Sequence, residues 1–477
     1  MSQKPSEKQQ KTIQRVRSAG QDHVLKWIDD LSSEQKQQLL SQLKNIDFGK
    51  VSRLTQQIGR SGEEISFEEV EPAPVNTLPQ TAEEKKIEED VAALGHEAFE
   101  AGRVAALVVA GGQGTRLGYD GPKGAYPIMP VTGKSLFHVL AGKVLAARRR
   151  YDTPIPWLVM TSPTNDDQTR DFFETKNYFG LGKDTVHFFS QNTNPILGKD
   201  GQLLLKNKGK LLVGPDGHGG VFSALSESGL AEDLLKRGFD LVSYFQVDNP
   251  LVTVADERYV GHHLRRHADF SCKVIPKRDP SEGLGIAVLK NDQPGIIEYI
   301  DLPDELAEQT DKDGELLYKF GSIAVHIIDT EFALEIGRRN DALPWHVARK
   351  NYEHLDENGN ARPGECYKFE KFVFDCLPHV SDCAFVEARR EREFAPVKNA
   401  EGSDSPESCR KLLRQEWLRW LENAGIDTTP VEKSSGQVEI DPRFAANEEE
   451  LVRHLPDDFQ PEPLSVLQEE RQEAEGT

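Results

Sequence analysis

The sequence predicts an α/β protein whose mostly parallel sheet is covered by helices on both faces. Short apolar runs recur at residues 104–110 (VAALVVA), 155–160 (IPWLVM) and 241–247 (LVSYFQV), the first of them apolar throughout, as buried parallel strands require. These runs alternate with helical patterns. Residues 166–178 form an amphipathic stretch, and the helix before the third run stops at Gly238, a natural C-terminal punctuation. The chain is also large enough for a sizeable core, with 477 residues, 37% of them hydrophobic, and 38 glycines. Whole-chain disorder is thereby excluded.

Along the chain, the first fifty residues read as helical. Val24, Leu25, Trp27, Ile28 and Leu31 fall at helical spacing, as do Leu39, Leu40, Leu43 and Ile46. Ser32 followed by Gln35 has the form of a capping box between the two helices. Residues 60–85 turn acidic and Pro-rich, which predicts an extended linker or wrapping segment. From about residue 100 the strand–loop–helix alternation takes over, and it fades after about 390. Trp417 and Trp420 with Leu413 and Leu421 form an apolar stripe that predicts core packing. From Leu455 onward, Asp457, Asp458, Glu462, Glu469, Glu470, Glu473 and Glu475 mix with prolines as in a solvated tail. The expected division is a helical region and linker over 1–100, a main domain over 101–390, a small C-terminal domain over 391–455, and an acidic tail over 456–477. No internal repeat is present.

Charge and cysteine usage narrow the class. The 58 Lys and Arg against 79 Asp and Glu give −21, with no global footprint for nucleic acid. The longest apolar runs fall far short of the roughly 18 residues that a membrane helix needs. The N-terminal MSQKPSEKQQKT lacks the apolar core of a signal peptide, so a soluble cytoplasmic protein is expected. Cys272, Cys366, Cys376, Cys383 and Cys409 are odd in number and form no C-x-x-C pair, which predicts scattered reduced thiols.

The segment VAALVVAGGQGTRLGYDGPK, residues 104–123, is the most informative. A buried strand runs straight into Gly111, Gly112 and Gly114, with Arg116 and Lys123 supplying positive charge. Glycines let the backbone approach a ligand closely, so that successive N–H groups can face phosphate oxygens. The spacing is neither that of a Walker loop nor the dinucleotide G-x-G-x-x-G, because Leu117 stands at the third glycine. Asp248 follows the third apolar run, where ligands of open α/β sheets bind. A carboxylate there suits Mg²⁺; taken alone it reads better as a turn or capping aspartate, and the glycine loop beside it reverses that reading.

AGGQGTRLG followed by PKG resembles the signature loop of the eukaryotic-type UDP-sugar pyrophosphorylases, and specifically of the UDP-N-acetylhexosamine pyrophosphorylases. PDGHGG at 215–220, VDN at 247–249, GSIAVH at 321–326, KFEKFVFD at 368–375 and EFAPVKN at 393–399 follow in the family's order, so the resemblance spans about 100–410. It implies a Rossmann-like nucleotidyltransferase fold of GT-A type with an N-terminal helical extension and a small C-terminal domain. The implied activity joins UTP to a sugar 1-phosphate, N-acetylglucosamine 1-phosphate first, giving a UDP-sugar and pyrophosphate with Mg²⁺. Ala110, Gly111, Gly112, Gly114 and Thr115 would cradle the phosphates. Arg116 would lie on the departing pyrophosphate, and Lys123 and Lys398 on the reacting phosphate. Asp248 would hold the metal. Gln191 would read the uracil edge, helped by the backbone at Gly217. Gly219, Gly285 and Glu298 would face the sugar.

Two departures fall in the sugar set, since His218 and Ser322 stand where the family usually has Asn. Glucose, galactose or N-acetylgalactosamine 1-phosphate therefore stay open as acceptors, and with them a broad-specificity enzyme. Two further readings compete. A glycosyltransferase would call for D-x-D, whereas Asp248 is followed by Asn249 and Pro250. A non-catalytic sugar-nucleotide-binding regulator predicts loss of Arg116, Lys123, Asp248 or Lys398, and all four are present. His262, His263 and His267 lack an evident third metal ligand and are read as a solvated helix face.

Overall fold

The computed structural model describes residues 6–58, 69–339, 341–434, 436–456 and 458–469. They fall into two compact units. The smaller draws on Met1–Ser66, Gln191–Gly220 and Asp341–Asp375, and the larger on Phe67–Ser190, Val221–Asn340 and Cys376–Thr477.

In the larger unit the apolar runs become the centre of an 11-stranded sheet. Its main path runs Val75–Asn76, Cys383–Glu387, Phe270–Pro276, Phe320–Asp329, Leu241–Gln246, Val104–Val109, Trp157–Thr161, Val186–Ser190. Only Phe320–Asp329 runs against its neighbours on that path, so the sheet is mixed and mostly parallel, as the sequence predicts. Val104–Val109 is buried along its whole length, which is why its sequence shows no alternation. The helix before Leu241–Gln246 spans Leu230–Lys236, and Gly238 follows it with φ of 87°.

The expected wrapping segment contributes two short strands where it is described. Val70–Pro72 pairs with Ile286–Lys290, and Val75–Asn76 pairs with Cys383–Glu387; residues 59–68 lie outside the described residues. Leu413, Trp417 and Leu421 share a core with Ile128, Met129, Leu136, Val139 and Leu251, and Trp420 packs against it. The chain is not solvated throughout from Leu455, because Leu464–Leu467 pairs in parallel with Gln437–Ile440. Asp457 and residues 470–477 of that stretch lie outside the described residues.

The expectation of a solvated histidine face holds for His267, which is exposed, and is overturned for the other two. His262 and His263 are only 4% and 2% exposed. His262 Nε2 lies 3.0 Å from Glu88, and His263 Nδ1 lies 2.8 Å from the Ser271 hydroxyl. Helix Glu257–Arg265 turns this side, with Tyr259 and Val260, into the core. Periodicity marks a face of a helix without saying which neighbour covers it.

In the smaller unit, helices Glu7–Ser18, Ser33–Asn45 and Phe48–Ile58 bury their apolar faces with Leu197, Leu203, Leu211, Tyr367 and Phe369. The Ser32–Gln35 capping box forms as read. Residues 24–31 do not form the expected helix; a single 3₁₀ turn, Asp22–Leu25, replaces it. Long-range hydrogen bonds win there. The Gln21 side chain donates to Gly201 O and accepts from Leu203 N, and His23 Nε2 meets Leu203 O at 2.7 Å. The five cysteines are buried and none forms a disulfide, and no described helix is long and apolar enough to cross a membrane.

Candidate active site

The phosphate loop leaves strand Val104–Val109, and Asp248 leaves its parallel neighbour Leu241–Gln246. The register pairs Gln246 with Val109, and Val247 N–H donates to Val109 O at 3.1 Å. Loop and carboxylate thus emerge side by side at the carboxyl edge of the sheet, where open α/β sheets bind ligands.

The loop is held from behind. The Asn165 side-chain amide donates to Ala110 O at 2.8 Å and Gly112 O at 3.1 Å, and the Ser162 hydroxyl donates to Gly111 O at 2.7 Å. Gly114 N–H donates to Gly121 O and Lys123 N–H to Gly112 O, closing a narrow bridge between Gln113 and Pro122. With these carbonyls occupied, the N–H groups of Gly111 and Gly112 have no protein acceptor among the described residues. Such unclaimed donors form an anion-binding concavity. A Cβ at Gly114 would meet Tyr119 Cβ at 2.9 Å, and Gly118 has φ of 68°, so both positions require glycine for the turn. Thr115 and Arg116 are exposed on the one-turn helix Thr115–Leu117.

Lys123 Nζ lies 2.8 Å from Asp248 Oδ2, and both side chains are 17% exposed. Burial pushes the Asp248 carboxyl up, but Lys123 and then Lys398 more than offset it and hold it below the ordinary carboxylate range. Val397 N–H donates to Asp248 O at 2.9 Å, so the EFAPVKN segment runs directly past Asp248. Lys398 is exposed, with its ammonium 5.6 Å from the centre of the Phe394 ring. The structure therefore gathers Ala110, Gly111, Gly112, Gly114, Thr115, Arg116, Lys123, Asp248 and Lys398 into one region. Among the described residues, no group of three His, Cys, Asp or Glu side chains could hold a metal ion.

Gly285, Glu298 and Ser322 also cluster in the larger unit. Ser322 N–H donates to Gly285 O at 2.8 Å, and a Cβ at Gly285 would lie 3.5 Å from Glu298 Oε1. The ladder of Phe320–Asp329 with Phe270–Pro276 shifts register between Cys272 and Val274, and Ala324 takes φ of 55°. An irregularity of this kind re-aims side chains and recurs at functional sites. The strand pairs Tyr244 with His326 in antiparallel register, so its Ser322 end reaches the same carboxyl edge as Asp248.

Gln191, Gly217, His218 and Gly219 belong to the smaller unit. Thr193–Pro195 pairs with Val213–Pro215, and Asp216 N–H donates to Asn192 O, which carries Gln191 and Gly217 to one end of this ladder. His218 stacks on Phe372 with ring centres 5.3 Å apart and planes at 13°. Its Nδ1 accepts the Val373 N–H at 3.1 Å, which leaves Nε2 as the protonated nitrogen of the neutral ring. Burial pushes its pKa down to about 4, so the ring is neutral at pH 7. Asn165 and Ser162 were not singled out from sequence. Their signal, the polar loop SPTN after the second strand, is ordinary loop composition until the fold sets it behind the glycines.

The mixed, mostly parallel sheet flanked by helices is that of the nucleotidyltransferase fold. The sequence profile of the UTP–glucose-1-phosphate uridylyltransferases matches residues 48–453, and the chain belongs to that family. It is 34% identical over 435 residues to UDP-N-acetylglucosamine diphosphorylase 2 of Arabidopsis thaliana, covering 87% of this chain and 85% of that one. It is 33% identical over 443 residues to the UDP-N-acetylglucosamine pyrophosphorylase of Saccharomyces cerevisiae, covering 87% and 92%. Among solved structures, the uridine diphosphate N-acetylglucosamine pyrophosphorylase of Trypanosoma brucei superposes with a TM-score of 0.82 at 28% identity, covering 98% of this chain and 99% of that one.

Proposed function

We propose that the protein transfers the uridylyl group of UTP to N-acetylglucosamine 1-phosphate, releasing pyrophosphate. The observation that carries this reading is the Gly111–Gly114 turn beside Asp248 and two lysines at the carboxyl edge of the sheet, in a chain of the uridylyltransferase family. The sugar phosphate oxygen attacks the α-phosphorus of UTP in line, its bond to phosphorus forming as the bond to the β-phosphate oxygen breaks. The free loop N–H groups and Arg116 take charge on the leaving pyrophosphate. Lys123 and Lys398 take charge at the reacting phosphate. No proton transfer is required, because the attacking oxygen is already anionic, and catalysis is positioning and charge stabilisation.

Among the described residues Asp248 stands in no group of three or more His, Cys, Asp or Glu side chains that could hold a metal ion. That donor set fits a Mg²⁺ carried by phosphate oxygens and water rather than an all-protein cage. Asp248 would hold such an ion, which would supply neutralisation of the charge developing on the phosphates. Lys123, whose ammonium donates to Asp248 Oδ2 at 2.8 Å, is placed to take charge on a phosphate oxygen beside that carboxylate. In the smaller unit Gln191, with donor and acceptor on one amide, suits a uracil edge, and the backbone at Gly217 and Gly219 suits close approach of base or sugar. In the larger unit Gly285, Glu298 and Ser322 form a set suited to reading hydroxyls, and in the smaller unit neutral His218 offers one N–H.

Three relatives named for UDP-N-acetylglucosamine support that acceptor over glucose 1-phosphate. The test is pyrophosphate release from UTP and Mg²⁺ with N-acetylglucosamine, N-acetylgalactosamine, glucose and galactose 1-phosphates in parallel. N-acetylglucosamine 1-phosphate should give the highest kcat/KM. Release with no sugar phosphate at all would overturn the reading.

A further inference from the structure

Between the Asp248 loop and the Lys398 segment lies a buried ionic cluster that touches no proposed substrate group. Glu393 is 4% exposed, and its carboxylate is fully engaged. Oε1 accepts from the Lys273 ammonium at 2.8 Å and the Thr253 N–H at 2.9 Å, and Oε2 accepts from the Thr253 hydroxyl at 2.8 Å. Lys273, 1% exposed, donates its other bond to Asp256 at 2.6 Å. The Glu393 carbonyl accepts from the Asn249 amide at 2.8 Å, and the Asn249 side-chain oxygen accepts from Ala395 N–H at 3.0 Å. Val397 N–H then reaches Asp248 O at 2.9 Å. Alternate residues 393, 395 and 397 are thus bonded in turn to the 248–253 loop, and the next residue, Lys398, comes out into solvent.

Buried ion pairs are inefficient sources of stability, because desolvation offsets most of the Coulomb gain, and apolar replacements often serve the fold as well. What a saturated buried pair does give is a single geometry. We propose that Glu393 and Asn249, with Lys273 behind them, are positioning residues for the transfer, setting the register in which Lys398 is delivered beside Asp248. The proposal rests on the uridylyltransferase reading above. Glu393 acts through Lys398, so its effect on turnover disappears where Lys398 has been removed. A residue that only supports the fold would show the same cost in either background.

The test is a double-mutant cycle of Glu393→Asp and Lys398→Ala, with kcat and KM measured on UTP, Mg²⁺ and N-acetylglucosamine 1-phosphate, and the melting temperature recorded for each variant. Glu393→Asp keeps the charge but withdraws the carboxylate by one methylene. It should lower kcat about tenfold or more with KM for UTP within about threefold of wild type. In the Lys398→Ala background it should cost less than about twofold. Wild-type kcat in Glu393→Asp, or the same loss in both backgrounds, overturns the proposal. If Glu393→Asp does not fold, Thr253→Val deletes one hydroxyl bond to Glu393 and carries the same cycle with a smaller loss. Full turnover in Lys398→Ala also overturns it, and then marks the role given to Lys398, rather than the clasp, as the error. Absence of any transfer by the wild-type protein would instead condemn the functional reading itself.

Discussion

Lys123 reads in the sequence as a charge of the glycine loop, and the structure adds its partner, Asp248, 125 positions away, at 2.8 Å. The loop beside it depends on Asn165, whose amide holds two of the carbonyls that would otherwise compete for space with phosphate. Asn165→Ala leaves the buried Ala110 carbonyl short of a donor, a loss of about 1–3 kcal/mol. It should raise KM for UTP about tenfold in steady-state kinetics, and an unchanged KM would show that the loop needs no brace. His218 presents one N–H, because Val373 occupies its other nitrogen. An asparagine there offers a donor and an acceptor together. His218→Asn should therefore raise the preference for N-acetylglucosamine over glucose 1-phosphate by about 10-fold, measured as the ratio of kcat/KM values. No change in that ratio would remove His218 from sugar recognition. Glycines, Arg116 and Lys123 were legible because they lie within one short stretch. Asn165 was not, because its partner Ala110 lies 55 positions away and an isolated polar residue carries no spacing signal; Asn249 and Glu393 fell inside the VDN and EFAPVKN motifs, but the bond between them, across 144 positions, left no mark there.

Among elements, strands 104–109, 157–161 and 241–246 announced themselves through continuous apolar runs, which only burial on both faces explains. Helix Glu257–Arg265 misled because its histidines are polar and yet buried, His263 against the Ser271 hydroxyl. Residues 22–31 misled because tertiary hydrogen bonds through Gln21 and His23 overrode helical spacing. The buried helix has a measurable consequence. Burial pushes the pKa of His263 down to about 3, below its ordinary value of about 6.5. Between these values the unfolded chain binds the extra proton, so stability is full above about pH 6.5 and falls as pH drops, by up to about 1.4 kcal/mol per unit. His138, pushed down to about 4 by burial and by Lys176 and Lys134, acts in the same direction. The melting temperature should fall between pH 7 and 5, and His263→Gln should flatten that slope. Equal slopes for wild type and variant would mean that His263 is not buried as a neutral ring.

At the scale of the molecule, a chain at −21 is proposed to gather two polyanions. Charges beyond about 8 Å are largely screened at physiological salt, whereas a cation–phosphate contact near 4 Å at an effective dielectric of about 20 is worth about 4 kcal/mol. Arg116, Lys123 and Lys398 therefore outweigh the diffuse acidity. Raising KCl from about 0.05 to 0.5 M should raise KM for UTP as those contacts weaken; a fall would mean that long-range repulsion governs binding. The family could be read from motif order, since five motifs follow the loop in sequence and the family profile covers 48–453. The clasp behind Lys398 could not, because it exists only once residues 248–256, 273 and 393–397 have been folded together. The central claim is tested most directly by the single-turnover rate of uridylyl transfer from UTP to N-acetylglucosamine 1-phosphate, compared among wild type, Lys123→Ala and Asp248→Ala at matched melting temperature. Both variants should transfer at least about a hundredfold more slowly. Wild-type rates in both would contradict the account.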